Sequence, residues 1–107
     1  MSVNKVILIG NVGRDPEIRY PEKDFPVAHL SLATNERQGN SDTELVEWHI
    51  LVMTGQNATI AERYIRKGTK LYVEGRLRTR EYVDKLKISR RRTEIYVDVI
   101  EILGRGQ

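Results

Sequence analysis

Cysteine is absent from the sequence, so disulfides, thiolate nucleophiles and thiolate metal sites are excluded together. Long hydrophobic runs are missing as well. The apolar stretch Val6 to Ile9 near the start falls far short of a signal-peptide core or a membrane span, and a cytoplasmic location is expected. Histidine is scarce, and His29 and His49 stand on separate segments without HExxH or HxH spacing. Neither a zinc site nor a nucleophile–base pair is signalled, so we expect no enzyme, no metal and no cofactor. Gly10-Asn11-Val12-Gly13 is too short for a phosphate loop and lacks its lysine. Asp15, Glu17, Glu22 and Asp24 gather in one loop, where weak metal binding and a plain solvated acidic surface are the two readings.

What is present suits one folded domain. The 107 residues are 39% hydrophobic and 31% charged, too apolar for a disordered chain and too few for two cores. Net charge is only +3, but it is unevenly placed. From Arg63 to Arg92 there are twelve Lys or Arg against three acids, a charge of +9, leaving −6 for the remainder. Such a concentration predicts a polyanionic partner, with a merely solvated basic hairpin as the alternative.

Val3 to Ile9 reads as a strand followed by the turn-prone stretch Asn11 to Pro16. Pro26 to Thr34 alternates with period two and is a second strand; Asn35 to Thr43 is polar and turn-rich; Val46 to Met53 is a third strand. Ala58, Ala61 and Ile65 recur at helical spacing between Gly55 and Gly68, giving a helix of about three turns closed by Gly68, with Arg66 and Lys67 in its last turn. A strand then runs from Thr69 to about Val83, Asp84 to Ser89 forms a hairpin tip, and Thr93 to Leu103 is the last strand. The expected fold is mainly β: a five-stranded Greek-key barrel of the OB type, with one helix between strands 3 and 4. It is expected to occupy residues 1–104, leaving 105–107 as a short C-terminal end.

Alternation on the fourth strand puts Leu71, Val73, Leu77 and Val83 on one face and Lys70, Tyr72, Glu74, Arg76, Arg78, Arg80 and Tyr82 on the other. Cations and aromatics interleaved along one line suit an extended polyanion. Arginine bonds phosphate and stacks on bases, and each aromatic–base stack contributes on the order of 1–3 kcal/mol with little sequence preference. Trp48 shares a face with Val46, Ile50 and Val52, so periodicity alone leaves it either in the core or as a stacking platform. His49 points to the opposite face, as a packed histidine would.

The segments VNKVILIGNVGRDPEIRY (Val3 to Tyr20), LSLAT (Leu30 to Thr34), EWH (Glu47 to His49) and YIRKGTKLYVEGRLRTREY (Tyr64 to Tyr82) resemble the bacterial and mitochondrial single-stranded DNA-binding proteins. The resemblance spans nearly the whole chain. It implies an OB-fold core, usually a homotetramer built as a dimer of dimers, that binds and protects single-stranded DNA in replication, recombination and repair. By the same resemblance Trp48 and Tyr82 are stacking residues beside the Arg78-Thr79-Arg80 motif, while Val6, Leu8, His49 and Tyr72 fall at subunit contacts. Lys5, Lys67, Lys70, Arg76, Arg90, Arg91 and Arg92 are the further cations expected on DNA. Two departures stand out. Gln38 and Thr54 occupy positions where the family commonly has a tryptophan and a phenylalanine, which shifts affinity from stacking towards electrostatics. Gly104-Arg105-Gly106-Gln107 shows no acidic tail of the kind the family usually carries, which puts tail-mediated protein partners in doubt. An OB-fold assembly factor, a single-stranded RNA binder and a nuclease are the alternatives; the last would need a carboxylate cluster that Glu74 alone does not supply.

Overall fold

The computed structural model describes residues 1–40 and 42–105. Seven elements follow one another: β1 (Val6–Val12), β2 (Glu17–Glu22), β3 (Phe25–Arg37), β4 (Glu44–Thr54), α1 (Gly55–Tyr64), β5 (Lys70–Val83) and β6 (Ser89–Gly104). The sheet order is β1-β5-β6-β4-β3-β2, and a further β1–β3 pairing at Asn11↔Ala33 and Val12↔Leu32 closes β1, β5, β6, β4 and β3 into a five-stranded barrel. All pairings are antiparallel except β4 with β6. The helix falls between the third and fourth barrel strands, so the OB architecture expected from the element order is the one observed.

Period-two alternation builds the interior. Ala28, Leu30 and Leu32 of β3 face inward with Leu51 and Met53 of β4, and Leu71 and Val73 of β5 complete the same cluster. α1 lays Ala58 and Ala61 against this core, small residues that let the helix approach closely, and Ile65 beyond its end is fully buried. The helix is shorter than its sequence pattern predicts. It ends at Tyr64, where the Ile65 N–H donates to Ala61 O, so Arg66 and Lys67 lie beyond the last turn. Arg66 nonetheless caps the end: its Nη1 donates to the Glu62 and Ile65 carbonyls at 2.9 and 2.7 Å. Gly68 takes its positive φ in the following turn, donating to Val12 O and tying helix exit to barrel.

Three further differences bear on function. β2 was hidden in the sequence because only Ile18 is even half-buried in it; it is a polar strand, with Pro21, paired along one edge to β3. β3 and β4 continue through Asn35–Arg37 and Glu44–Val46, which shortens the loop expected from Asn35 to Thr43. β6 begins at Ser89, four residues earlier than predicted, so β5 and β6 form a paired arm that outruns the barrel. Leu77 and Val83 share the alternation of Leu71 and Val73 but lie on this arm, where no core faces them, and both are exposed. The arm leaves the barrel at Gly75, where any Cβ would strike the Tyr96 carbonyl of the neighbouring strand. A register shift beside it, between Glu74 and Gly75, turns the ladder outward.

Candidate nucleic-acid interface

Trp48 stands opposite Ala33, on the outer face of the β3–β4 ladder. The inward positions of β4 are those of Leu51 and Met53, so parity sends Trp48 out and the neighbouring His49 in. The indole is 57% exposed. It is also supported from beneath: its six-membered ring lies directly on Gly13, so closely that a Cβ there would overlap it. Gly13 is held in turn by its N–H donating to Ser31 O at 2.9 Å. Trp48 is therefore a propped platform on the surface, and the core reading of its face is the one the structure rejects. His49 is half-buried, its Nε2 hydrogen-bonded to Thr34 Oγ1 at 2.9 Å.

A cleft of about 630 Å³ continues along this outer face. His29, Ser31 and Ile50 line it, Ile50 being the next outward residue after Trp48. Arg14, Asp15, Glu17 and Arg19 border it from the β1–β2 segment, and Arg80 and Arg92 from the arm. Arg80 and Arg92 are direct cross-strand neighbours. Both lean on one carboxylate, Arg80 Nη2 and Arg92 Nε each lying 3.5 Å from Glu94 Oε2. Glu94 is only 1% exposed. A buried carboxylate is costly unless charge-paired, and here two guanidiniums compensate it while their outer nitrogens stay at the cleft. Net positive charge remains.

The arm extends the same surface. Arg80 lies over the Tyr82 ring at 5.9 Å, and Arg78 over Tyr96 at 5.4 Å. Tyr82 faces Arg90 across the ladder, so Arg80, Tyr82, Arg90 and Arg92 share one face of the hairpin. Arg91 is on the other, opposite Glu81 and ion-paired with it at 3.3 Å. Arg76 pairs with Asp98 at 3.5 Å and lines a smaller hollow with Arg78, Leu77 and Tyr96.

The remaining predicted residues are dispersed. Lys5 pairs with Glu74 at 3.3 Å, and Tyr72 Oη donates to the other oxygen of the same carboxylate. That hydrogen bond lowers the Glu74 pKa, Lys5 adding to the effect, and raises that of the Tyr72 phenol. Lys70 sits opposite Gly104, far along β5 from the arm. The Lys67 N–H donates to Asp15, which lines the cleft, so Lys67 lies near its border. Val6 and Leu8 pack against the core from partly buried positions, and the apolar side chains β1 exposes are Ile7 and Ile9. Among the described residues no three His, Asp or Glu side chains converge, and in the acidic segment Asp15 and Glu17 are engaged by Lys67 and Arg19. Sequence reasoning passed over Gly13, Arg14, Ile50 and Glu94. Only Gly13, a glycine just past a strand end, carried a visible signal.

A small closed barrel with a half-exposed indole, an arginine-lined cleft and an arm of cations over tyrosines is an oligonucleotide-binding barrel. Similarity to known proteins makes this specific. Residues 3–103 match the single-strand binding protein family. A single-stranded DNA-binding protein of Bacteroides thetaiotaomicron is 47% identical over 109 residues, covering 97% of this chain and 68% of that one. A solved Plasmodium falciparum SSB in complex with ssDNA superposes with a TM-score of 0.85 at 35% identity, covering 96% of each chain. The chain belongs to the single-strand binding protein family. Among the described residues no helix is long and apolar enough to cross a membrane.

Proposed function

We propose that this protein binds single-stranded DNA with little sequence preference and protects strands exposed in replication, recombination and repair. One observation carries the reading: the indole of Trp48, propped on Gly13, stands on the same outer sheet face as Ile50, which lines a cleft bordered by Arg80 and Arg92. A base stacks on Trp48 while the backbone runs along the cleft, its phosphates taken by Arg80, Arg92 and Arg14. Tyr82 offers a second platform, with Arg78 and Arg90 as outlying cations. Family membership and the likeness to the Plasmodium falciparum SSB solved with ssDNA support DNA as the ligand. The role is binding, not catalysis, and the site of action is the nucleoid.

The working unit in this reading is a homotetramer, a dimer of dimers. Only Asn11 and Val12 of β1 pair with β3, which leaves the Val6–Gly10 edge open beyond the barrel seam. Open edges with exposed Ile7 and Ile9 beside them suit pairing with another copy, placing Val6, Leu8, His49 and Tyr72 near that contact. Fluorescence anisotropy with labelled oligo-dT, oligo-U and duplex of equal length tests the ligand. Tightest binding to oligo-dT is expected, and preference for duplex would overturn the reading. Native mass tests the assembly separately: four chains are expected, and a monomer contradicts it.

A further inference from the structure

The tip of the β5–β6 arm does not look like an ordinary surface turn. Hairpin tips are usually polar, yet this one displays Val83 at 66%, Leu86 at 77% and Ile88 at 46% exposure. It is also rigidly built. The Asp84 carboxylate accepts from the Leu86 and Ile88 N–H groups at 2.9 and 3.0 Å with one oxygen, and from Arg90 Nε at 2.9 Å with the other. Backbone bonds from Asp84 N to Ile88 O and from Lys87 N to Asp84 O close the turn, with Lys87 at positive φ. The tip thus holds three aliphatic side chains out at the end of an ordered hairpin. Between Thr79 and Val83 that hairpin is paired but neither strand has a buried residue, a reach of roughly 13 Å at strand spacing.

Charge identifies the occupant. From Asp84 to Arg92 there are five Lys or Arg and one acid, a balance of +4. Lys85 and Lys87 have no carboxylate partner among the described residues. Two such tips repel each other, so a second copy of this chain is disfavoured and a polyanion favoured. Leu86 and Ile88 carry no π-face, so they add little as platforms for free bases. Aliphatic side chains flanked by cations are instead suited to covering or parting a base step, as the apolar wedges of DNA-bending proteins do. The outermost pair of a duplex end presents such an apolar face.

We infer that the arm tip is a binding site for the junction between single-stranded and double-stranded DNA. Leu86 and Ile88 press on the terminal base pair, and Lys85 and Lys87 hold the flanking phosphates. The single-stranded tail continues from the junction past Tyr82 and Arg80 into the cleft, so the inference rests on the proposed single-strand groove. In this arrangement the protein recognises a tailed duplex by both of its parts at once.

The test compares oligo-dT with a duplex bearing the same oligo-dT as its tail, with 2-aminopurine in the terminal pair. The wild-type chain is expected to bind the tailed duplex about tenfold more tightly than the tail alone and to raise the 2-aminopurine signal. In Leu86→Ser/Ile88→Ser both effects are expected to vanish while oligo-dT affinity is unchanged, which also shows that the variant folds. Leu86→Met is expected to keep them. Equal affinity of the wild type for tail and tailed duplex overturns the inference, as does a double variant that keeps the junction preference or loses oligo-dT affinity in parallel. Failure of the wild type to bind oligo-dT would instead overturn the groove itself, and the wedge with it.

Discussion

Trp48 depends on a residue with no side chain. Its stacking surface is set by the Gly13 backbone beneath the ring, so platform and support form one device built from β4 and the end of β1. Trp48→Ala is expected to weaken oligo-dT binding by about 1–3 kcal/mol, roughly five- to 150-fold, with thermal stability little changed, because the side chain is not in the core. Isothermal titration and a melting curve check both halves. Gly13→Val is expected to lift the indole and cost a similar factor in affinity while the tryptophan is still present; unchanged affinity would show the prop to be idle. Of these two residues the sequence disclosed one. Periodicity placed Trp48 on a face with Val46, Ile50 and Val52 without saying which face looks outward, since both faces of that strand are rich in apolar residues. The family resemblance decided it, whereas Gly13 is visible only as a glycine past a strand end, because its role as a prop exists only in three dimensions. Glu94 was illegible for a similar reason: Arg92 stands two residues away on the same strand, but Arg80 meets it only once β5 and β6 are in register.

At the scale of elements, the barrel strands were readable where one face is buried and the other exposed, as in β3. β2 escaped because it is polar on both faces and borrows its order from β3. The arm was misjudged in length, since its start in Ser89–Arg92 has no apolar alternation and is a strand only by pairing with Arg80–Val83. Its order depends on charge. The Asp84 pKa is lowered, first by the backbone hydrogen bond from Ile88 and then by Arg90. A carboxylate with a depressed folded pKa lends stability above its unfolded value and loses it as pH falls through the folded one. The arm tip is thus expected to be ordered at neutral pH and to loosen below pH 3.8, the ordinary value for this group. Amide exchange at Leu86 and Ile88 reports it, and Asp84→Asn should show fast exchange there already at neutral pH while barrel amides stay protected.

Over the whole molecule, positive charge is less free than the sequence count suggests. Arg76, Arg80, Arg90, Arg91 and Arg92 each have a carboxylate within 3.5 Å; Glu81 and Asp84 are already counted in the +9 segment, and Glu94 and Asp98 from outside it offset a further part of that charge. Pairs exposed on both sides, such as Arg91 with Glu81, add little to stability, but all of them orient guanidiniums that a phosphate can approach from the solvent side. Binding should still be strongly salt-dependent, with a log–log slope of about −0.7 per phosphate neutralised on a single strand. Arg80→Gln is expected to flatten that slope by about 0.7 and weaken binding at low salt most. Titrations at several salt concentrations measure it, and an unchanged slope would remove Arg80 from the phosphate path. The central claim, that a DNA strand lies across the indole on its glycine support, is met most directly by Trp48 itself. As the only tryptophan it is an unshared reporter. Titrating the protein with oligo-dT should quench its fluorescence in step with binding measured independently by anisotropy. Binding that leaves the tryptophan emission unaltered would contradict the account.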